Sequence, residues 1–322
     1  MHELLAFFLS VTTAYGYALI VWPVLRMPVR AVVSTIIAIA VFACPLLIPA
    51  EHVILRGAAT FLCAELMLKI LDAARQFRRR GREAVRFPAY ARFLIPFPSL
   101  LVIFGRRENH TPFCGPWRPM VLKILGAAVV VLSGLALVDF FAKFSIVRTC
   151  FLLDHVLKLA IFVLTIEGIS RLANGLERLA GFDIRPVIDR AYVAQTVAEF
   201  WCRYNNRVHA WFEHNLFGPV VRRGSPAWGI TLCFFASGVF HELGFGIATS
   251  RFDGYQVLFF MLQVPAVLVS RPLHRWATCG GMANRIATHL VTILWMAATS
   301  IFFFHGVNRI FPFYYVAEPW LP

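Results

Sequence analysis

The stretch AWGITLCFFASGVFHELGFGIA, residues 227–248, is apolar except for the adjacent His241 and Glu242. A helix needs about 20 mostly apolar residues to cross the hydrocarbon core of a bilayer. The stretch therefore predicts a membrane-spanning helix. It also sets two ionisable side chains well inside that helix, where their solvation is costly and where they indicate a function by default.

The composition of the whole chain also indicates a membrane protein. Of its 322 residues, 59% are hydrophobic and 15% are charged, whereas soluble domains have about 45–50% apolar and about 25% charged residues. Further apolar runs bring the number of spanning candidates to about eight. No repeat or Ser- or Gly-rich linker divides residues 1–322, so we predict a single domain and an all-α polytopic fold. The candidate spans are 4–25, 29–49, 53–72, 119–142, 147–170, 227–248, 254–270 and 286–305.

The apolar segment 88–104 differs from these runs because it contains Pro88, Pro96 and Pro98. Proline removes a backbone donor and kinks a helix. Broken segments persist inside a membrane only where protein or a cavity surrounds them. We expect a re-entrant or interfacial element here, and a ninth, kinked span is the alternative.

The net charge of +14 comes from basic residues that lie in short stretches between the apolar runs. This distribution is typical of cytoplasmic loops and of contacts with lipid phosphates. Arg26 and Arg30 follow the first run, and six arginines lie between positions 75 and 86. Placing the N-terminus outside puts both groups in the cytoplasm. No nucleic-acid recognition motif accompanies the charge, so nucleic acid is not an expected partner.

Several common catalytic centres are excluded by their motifs. The segment HELGF has Phe245 where a zinc protease of the HExxH type has its second histidine. The seven cysteines form no CxxC pair, and the chain has neither a GxSxG elbow nor a Walker A loop. We therefore predict no metal site and no bound cofactor.

The segment FWCRYNNRVHAWFEHNLFGP, residues 200–219, predicts an amphipathic helix that lies at the membrane interface. On a helical wheel its aromatic side chains fall within one arc, and its polar side chains fall on the opposite side. Aromatic belts and arginine-rich faces are common on such helices, so the pattern alone assigns no chemistry. The polar side is formed by Arg203, Asn206, Arg207, Glu213 and His214.

His241 is the strongest candidate for chemistry. Ser237, Gly238, Gly244 and Ala248 lie near it on the helical wheel, which leaves room for a substrate or for a close helix neighbour. An imidazole has an ordinary pKa near 6.5, so a buried histidine suits general-base catalysis. The alternative is a packed histidine that hydrogen-bonds to another helix.

The chain resembles the wax synthase-like branch of the membrane-bound O-acyltransferase family. That branch has a segment like FWxRxWN followed by a small-residue helix with SGxxHE, and here FWCRYNN (200–206) precedes SGVFHELGF (237–245). KILDAAR (69–75) and FLIPFPSL (93–100) are also similar to that branch. The resemblance covers about residues 65–275 and is most specific in the two central motifs.

The resemblance implies that His241 is the catalytic histidine and Asn206 the asparagine that closes the first motif. His241 would take the proton of a substrate hydroxyl as the oxygen attacks the thioester of acyl-CoA, and Asn206 would assist at the acyl-donor site. The aromatic residue expected before that asparagine is Asn205 here, so the functional asparagine is either of the pair. Further candidates for substrate or acyl-CoA binding are Trp201, Arg203, Arg207, Ser237 and Glu242.

The implied partners are acyl-CoA as co-substrate, a hydrophobic alcohol such as a long-chain alcohol or sterol, and membrane lipids. The competing hypothesis is a transporter or flippase in which His241 binds substrate or a proton. Transporters often have paired broken helices in two halves, and only one proline-broken segment is present, which favours the enzyme. Short loops favour a bacterial inner membrane, with the endoplasmic reticulum as the alternative.

Overall fold

The computed structural model describes residues 2–80, 86–96, 103–104 and 115–311. Over these ranges the regular elements are helices, and the protein is an all-α polytopic membrane protein. Six helices of the described chain are long and apolar enough to cross a membrane. They are His2–Val24, Arg30–Leu47, Trp117–Phe141, Pro226–Thr249, Tyr255–Cys279 and Gly281–Ile310.

The described chain has further helices besides these six. Two of them are long and several are short, and a 3₁₀ turn at Cys44–Leu47 extends the second helix. Numbered along the chain, the α-helices, including those that span, are α1 His2–Val24, α2 Arg30–Ala43, α3 Val53–Arg80, α4 Phe87–Leu94, α5 Trp117–Phe141, α6 Ser145–Thr149, α7 Phe151–Leu179, α8 Val197–Arg203, α9 Asn206–Phe212, α10 Gly218–Val221, α11 Pro226–Thr249, α12 Tyr255–Cys279 and α13 Gly281–Ile310.

The difference between eight predicted spans and six apolar helices comes from α3 and α7. Both are helices of spanning length, with 28 and 29 residues. Their sequences carry more charge than the other six, and part of that charge is buried in ion pairs. Glu65 pairs with Lys69 in α3, and Asp154 pairs with Lys158 in α7. These two helices thus combine spanning length with a polar interior face.

The chain folds into two compact units. Unit 1 is Met1–His110 with Phe240–Asp253, and unit 2 is Thr111–Val239 with Gly254–Pro322. The division falls within α11, whose residues from Phe240 onward belong to unit 1. The single-domain organisation stays a prediction.

Small side chains let α1, α2 and α3 approach closely inside unit 1. Ala14, Ala18 and Ala38 belong to its buried core and have almost no exposed surface. Association of helices in a membrane depends on this kind of close packing, because lipid offers no hydrophobic gain between apolar helices. Tyr90 of α4 donates from its hydroxyl to the carbonyl of Ala18 at 2.7 Å, which ties α4 to α1.

The proline-containing segment is attached to α3 at both of its described ends. Lys69 Nζ donates to the carbonyl of Ile95 at 2.9 Å, just after α4 ends. The Asp72 carboxylate accepts from the backbone N–H of Phe104 at 2.7 Å. The predicted re-entrant element includes residues 97–102, which lie outside the described residues, so its path stays a prediction.

In unit 2 a glycine brings α5 and α7 together. A Cβ placed on Gly168 of α7 would stand 2.9 Å from Val131 Cγ2 and 3.0 Å from Val130 Cγ1 of α5. A side chain there would force the two helices apart, since these valine methyls have little freedom to move. The pair α5 and α7 therefore depends on glycine at this crossing.

Candidate functional site

His241 lies on the part of α11 that belongs to unit 1, and its side chain is half-buried. Its ring makes an edge contact with the ring of Phe240, with centroids 5.9 Å apart. Phe240 stacks on Phe42 of α2 at 5.5 Å. The imidazole thus extends from a helix and not from a loop, next to a ring that stacks on α2.

The small residues predicted to flank His241 serve two different purposes. A Cβ on Gly238 would come within 2.9 Å of the Cα of Val257, so Gly238 allows α12 to approach closely. Gly244 has more room, since a Cβ there would meet only Thr60 Cγ2 at 3.9 Å. Gly238 therefore fits the close helix neighbour, whereas Gly244 is less crowded and its part in a substrate notch stays a prediction.

Glu242 closes the turn that follows α11. Its Oε1 accepts a hydrogen bond from the backbone N–H of Asp253 at 2.8 Å. The carboxylate therefore has a structural partner in the loop between α11 and α12. Ser237 is half-buried on the part of α11 that belongs to unit 2. The substrate-binding roles of both residues stay predictions.

The segment 200–219 is not the single amphipathic helix of the sequence prediction. Helix α8 ends at Arg203, α9 begins at Asn206, and a π-helical turn covers Glu213–Phe217. The break lies at Asn205, whose φ of +54° is left-handed. A left-handed residue ends the regular helical repeat, so positions before and after Asn205 do not share one helical wheel.

Asn205 has a structural role that explains the departure from the family motif. Its Oδ1 caps α9 by accepting from the backbone N–H of Val208 at 3.4 Å. Asparagine tolerates the left-handed conformation and is among the best N-cap residues. An aromatic residue neither favours this conformation nor offers an oxygen that can cap a helix. The asparagine at this position is therefore accounted for by local backbone geometry.

Asn206 is held by the loop that precedes α8. Its backbone N–H donates to the carbonyl of Val187 at 2.7 Å. Its Nδ2 donates to the carbonyls of Pro186 and Arg203 at 3.3 and 3.4 Å. Within the described chain no group donates to its Oδ1, so in this orientation the amide offers an acceptor. A role as donor to a thioester carbonyl requires the amide to rotate.

The two arginines of the motif are both engaged by carboxylates. Arg203 Nε donates to Glu199 Oε1 at 2.9 Å. Arg207 is buried and forms a bidentate pair with Glu177, with Nη1 and Oε1 2.7 Å apart. Arg207 also donates to the carbonyl of Arg185. The sequence missed Glu177, because its partner lies 30 positions away and no local pattern connects them.

Trp201 lies inside an aromatic cluster of unit 2. Its ring is 5.5 Å from that of Phe234 and 5.5 Å from that of Phe260. The indole Nε1 is buried and has no hydrogen-bond partner in the ranges that the structure describes. A buried donor without a partner is uncommon and calls for an explanation. Beside it, burial raises the pKa of Tyr204 to about 12, so this phenol stays neutral in ordinary assay conditions.

The fold and these side chains define an integral membrane protein with an ionisable group inside one of its apolar helices. No family model matches the chain. Over 138 residues it is 30% identical to diacylglycerol O-acyltransferase 1C of Glycine max, which is 42% of this chain and 27% of the relative. It is also 30% identical over 138 residues to diacylglycerol O-acyltransferase 1 of Corylus americana, covering 42% of this chain and 26% of that relative.

A mammalian protein shows the same similarity over a shorter stretch. Diacylglycerol O-acyltransferase 1 of Bos taurus is 30% identical over 93 residues, which is 29% of this chain and 19% of the relative. The chain thus covers about a quarter or less of the length of these relatives. Their names agree with the O-acyltransferase resemblance, and the wax synthase-like branch stays a prediction.

Proposed function

We propose that the protein is a membrane-bound O-acyltransferase that transfers an acyl group from acyl-CoA to the hydroxyl of a hydrophobic acceptor, with His241 as general base. The observation that carries the proposal is His241 itself, a half-buried imidazole in a helix of spanning length that is apolar around His241 and Glu242. A Cβ at Gly244, one turn along the same helix, would meet only Thr60 at 3.9 Å, so this position is less crowded than Gly238. The names of the relatives supply the reaction class.

The proposed reaction needs one base and no metal. His241 takes the proton of the acceptor hydroxyl while the hydroxyl oxygen attacks the thioester carbonyl carbon. The resulting tetrahedral intermediate collapses, the carbon–sulfur bond breaks, and the imidazolium returns its proton to the departing thiolate of coenzyme A. The products are the ester and free coenzyme A. Asn206 is proposed to act at the acyl-donor site, on the resemblance alone.

The acceptor is proposed as a lipid alcohol. The relatives are named for diacylglycerol, and the wax synthase-like motifs favour long-chain alcohols or sterols. All of these present a hydroxyl on a hydrophobic body that partitions into the bilayer. The membrane is proposed to be a bacterial inner membrane, with the endoplasmic reticulum as the alternative.

The test is ester formation by the purified protein in lipid nanodiscs. Labelled acyl-CoA is supplied with diacylglycerol, a long-chain alcohol or a sterol, and ester and free coenzyme A are measured together. We expect His241→Ala and His241→Gln to abolish transfer. The matched control is His274→Gln on α12, an exposed histidine whose replacement should leave the rate unchanged.

The same preparation tests the transporter hypothesis. Ester formation that survives His241→Ala at the normal rate would rule out the general-base assignment. Movement of acceptor lipid between leaflets without any ester from the whole panel would favour a transporter or flippase instead.

A further inference from the structure

Arg56, in the first turn of α3, is a buried cation without a carboxylate partner in the described part of the chain. The residue is 6% exposed. The only hydrogen bond of its guanidinium within the described ranges runs from Nη1 to Ser250 Oγ at 2.9 Å. Its Nε is buried with no partner there. A serine hydroxyl cannot neutralise a guanidinium, and an unpaired charge in a low-dielectric interior is strongly unfavourable.

The other buried cations of the described chain show how unusual this is. Lys69 pairs with Glu65 at 2.8 Å, and Lys158 pairs with Asp154 at 2.7 Å. Arg207 pairs with Glu177 through both of its Nη atoms. Each of these three long basic side chains thus has its own carboxylate, and Arg56 stands out among them.

A second observation lies at the same place. Ser250, which follows the end of α11, has a φ of +59°. Glycine and asparagine adopt this left-handed conformation readily, whereas serine does so at a cost. Its backbone N–H donates to the carbonyl of Gly246 at 2.7 Å, and its hydroxyl meets Arg56. Backbone strain of this kind is found preferentially at functional sites.

Arg56 and His241 lie on two helices, α3 and α11, that approach each other inside unit 1. Helices α3 and α11 run antiparallel there, because Arg56 meets Ser250 and Thr60 meets the Gly244 position. Ser250 follows His241 by nine positions on the chain. At a rise of about 1.5 Å per residue these positions are about 13.5 Å apart along the helix axis. Gly244 lies between them on the chain.

We propose that Arg56 binds the anionic group of the lipid acceptor. The inference rests on the proposed function, in which His241 activates the acceptor hydroxyl. A guanidinium with its Nε edge free binds phosphate or carboxylate oxygens through two parallel hydrogen bonds. The acceptor class is therefore a lipid alcohol that carries a phosphate or a carboxylate.

The experiment compares lysophosphatidate with monoacylglycerol of the same acyl chain, which share a free secondary hydroxyl and differ in the phosphate. Purified protein is held in nanodiscs of phosphatidylcholine. The melting temperature is measured with each lipid, and ester formation is measured with labelled acyl-CoA. Phosphatidate, which carries the phosphate without a free hydroxyl on its glycerol, serves as the unreactive analogue.

The variants separate the charge of Arg56 from the planar geometry of its guanidinium. Arg56→Gln removes the charge, and Arg56→Lys keeps the charge but cannot form two parallel hydrogen bonds. Arg26→Gln is the matched control, because Arg26 belongs to the same unit and is exposed. We expect lysophosphatidate to raise the melting temperature of the wild type and of Arg26→Gln, and not that of Arg56→Gln. The KM for lysophosphatidate should rise about tenfold or more in Arg56→Gln, with the KM for monoacylglycerol unchanged.

The outcomes distinguish a failure of the anion site from a failure of the proposed function. Equal stabilisation by the two lipids, or an Arg56→Gln protein that still discriminates between them, would overturn the anion site. Phosphatidate that stabilises through Arg56 without inhibiting ester formation would assign Arg56 to structural lipid and overturn the acceptor role. If Arg56→Gln does not fold, Arg56→Lys decides by the same KM comparison. If no acceptor yields an ester, the proposed function fails and the acceptor role with it, while the melting shifts still decide the anion site.

Discussion

At the scale of single residues, the adjacent Asn205 and Asn206 have two different structural roles. Asn205 takes the left-handed conformation and caps α9, and Asn206 is tied to the loop before α8 through its backbone and its amide nitrogen. The sequence identified the pair but could not choose between them, because backbone conformation at Asn205 depends on how the preceding loop is held. His241 was identifiable because an ionisable group in a long apolar run is rare.

The first prediction separates these two asparagines. Asn205→Gly should keep both the melting temperature and the activity, because glycine adopts a positive φ without cost. Asn206→Ala should lower the rate of ester formation. Its free energy of unfolding should fall by no more than about 1 kcal/mol, the contribution of one hydrogen-bonded amide. The measurements are thermal unfolding and initial rates on the same preparations. A large activity loss in Asn205→Gly with a normal Asn206→Ala would move the functional assignment to Asn205.

The second prediction concerns the buried indole of Trp201. Trp201→Phe keeps an aromatic ring in contact with Phe234 and Phe260 and removes the Nε1 donor. If that donor binds a carbonyl oxygen of the acyl donor, the KM for acyl-CoA should rise about fivefold, as the loss of about 1 kcal/mol implies. The control is Trp228→Phe, an exposed tryptophan on α11. An unchanged KM in Trp201→Phe would leave the indole with a packing role alone.

At the scale of elements, the long helices follow from the sequence and the short ones do not. The run 29–49 predicts a span, and the helical segment is Arg30–Leu47. Run length decides this outcome, since lipid leaves an apolar backbone few alternatives to a helix. The region after α7 is different. The loop at 184–190 accepts hydrogen bonds from side chains of α7 and α9, and these contacts between residues far apart in sequence set where α8 ends and α9 begins.

The third prediction tests the buried pair that joins α7 to α9. Glu177→Gln leaves Arg207 buried without its counter-charge, and we expect a loss of about 3–5 kcal/mol in the free energy of unfolding. The double variant Glu177→Leu with Arg207→Met removes both charges and should recover most of that loss. Denaturation in detergent micelles measures both. A double variant as unstable as the single one would mean that the hydrogen bonds to the Arg185 carbonyl, and not the ion pair, stabilise this junction.

At the scale of the whole molecule, composition and run lengths identify a polytopic membrane protein, and α3 and α7 are its two long helices with the most charge. Each buries an ion pair whose members lie one turn apart on the same helix. A helix that neutralises its own charges in this way can cross a bilayer within a bundle. The positive-inside rule requires α3 to cross if Arg26 and the arginines at 75–86 share the cytoplasm.

The fourth prediction tests that crossing. Cysteines are placed singly at Glu51 and at Arg86, two exposed positions that precede and follow α3, in a background without other cysteines. If α3 spans the bilayer, a membrane-impermeant maleimide added to sealed cells should label Glu51→Cys and not Arg86→Cys. Inverted vesicles should give the reverse pattern, because they expose the opposite face of the membrane. Labelling of both positions from one side would show that α3 does not cross. The topology with the N-terminus outside and the arginines at 75–86 in the cytoplasm would then be wrong.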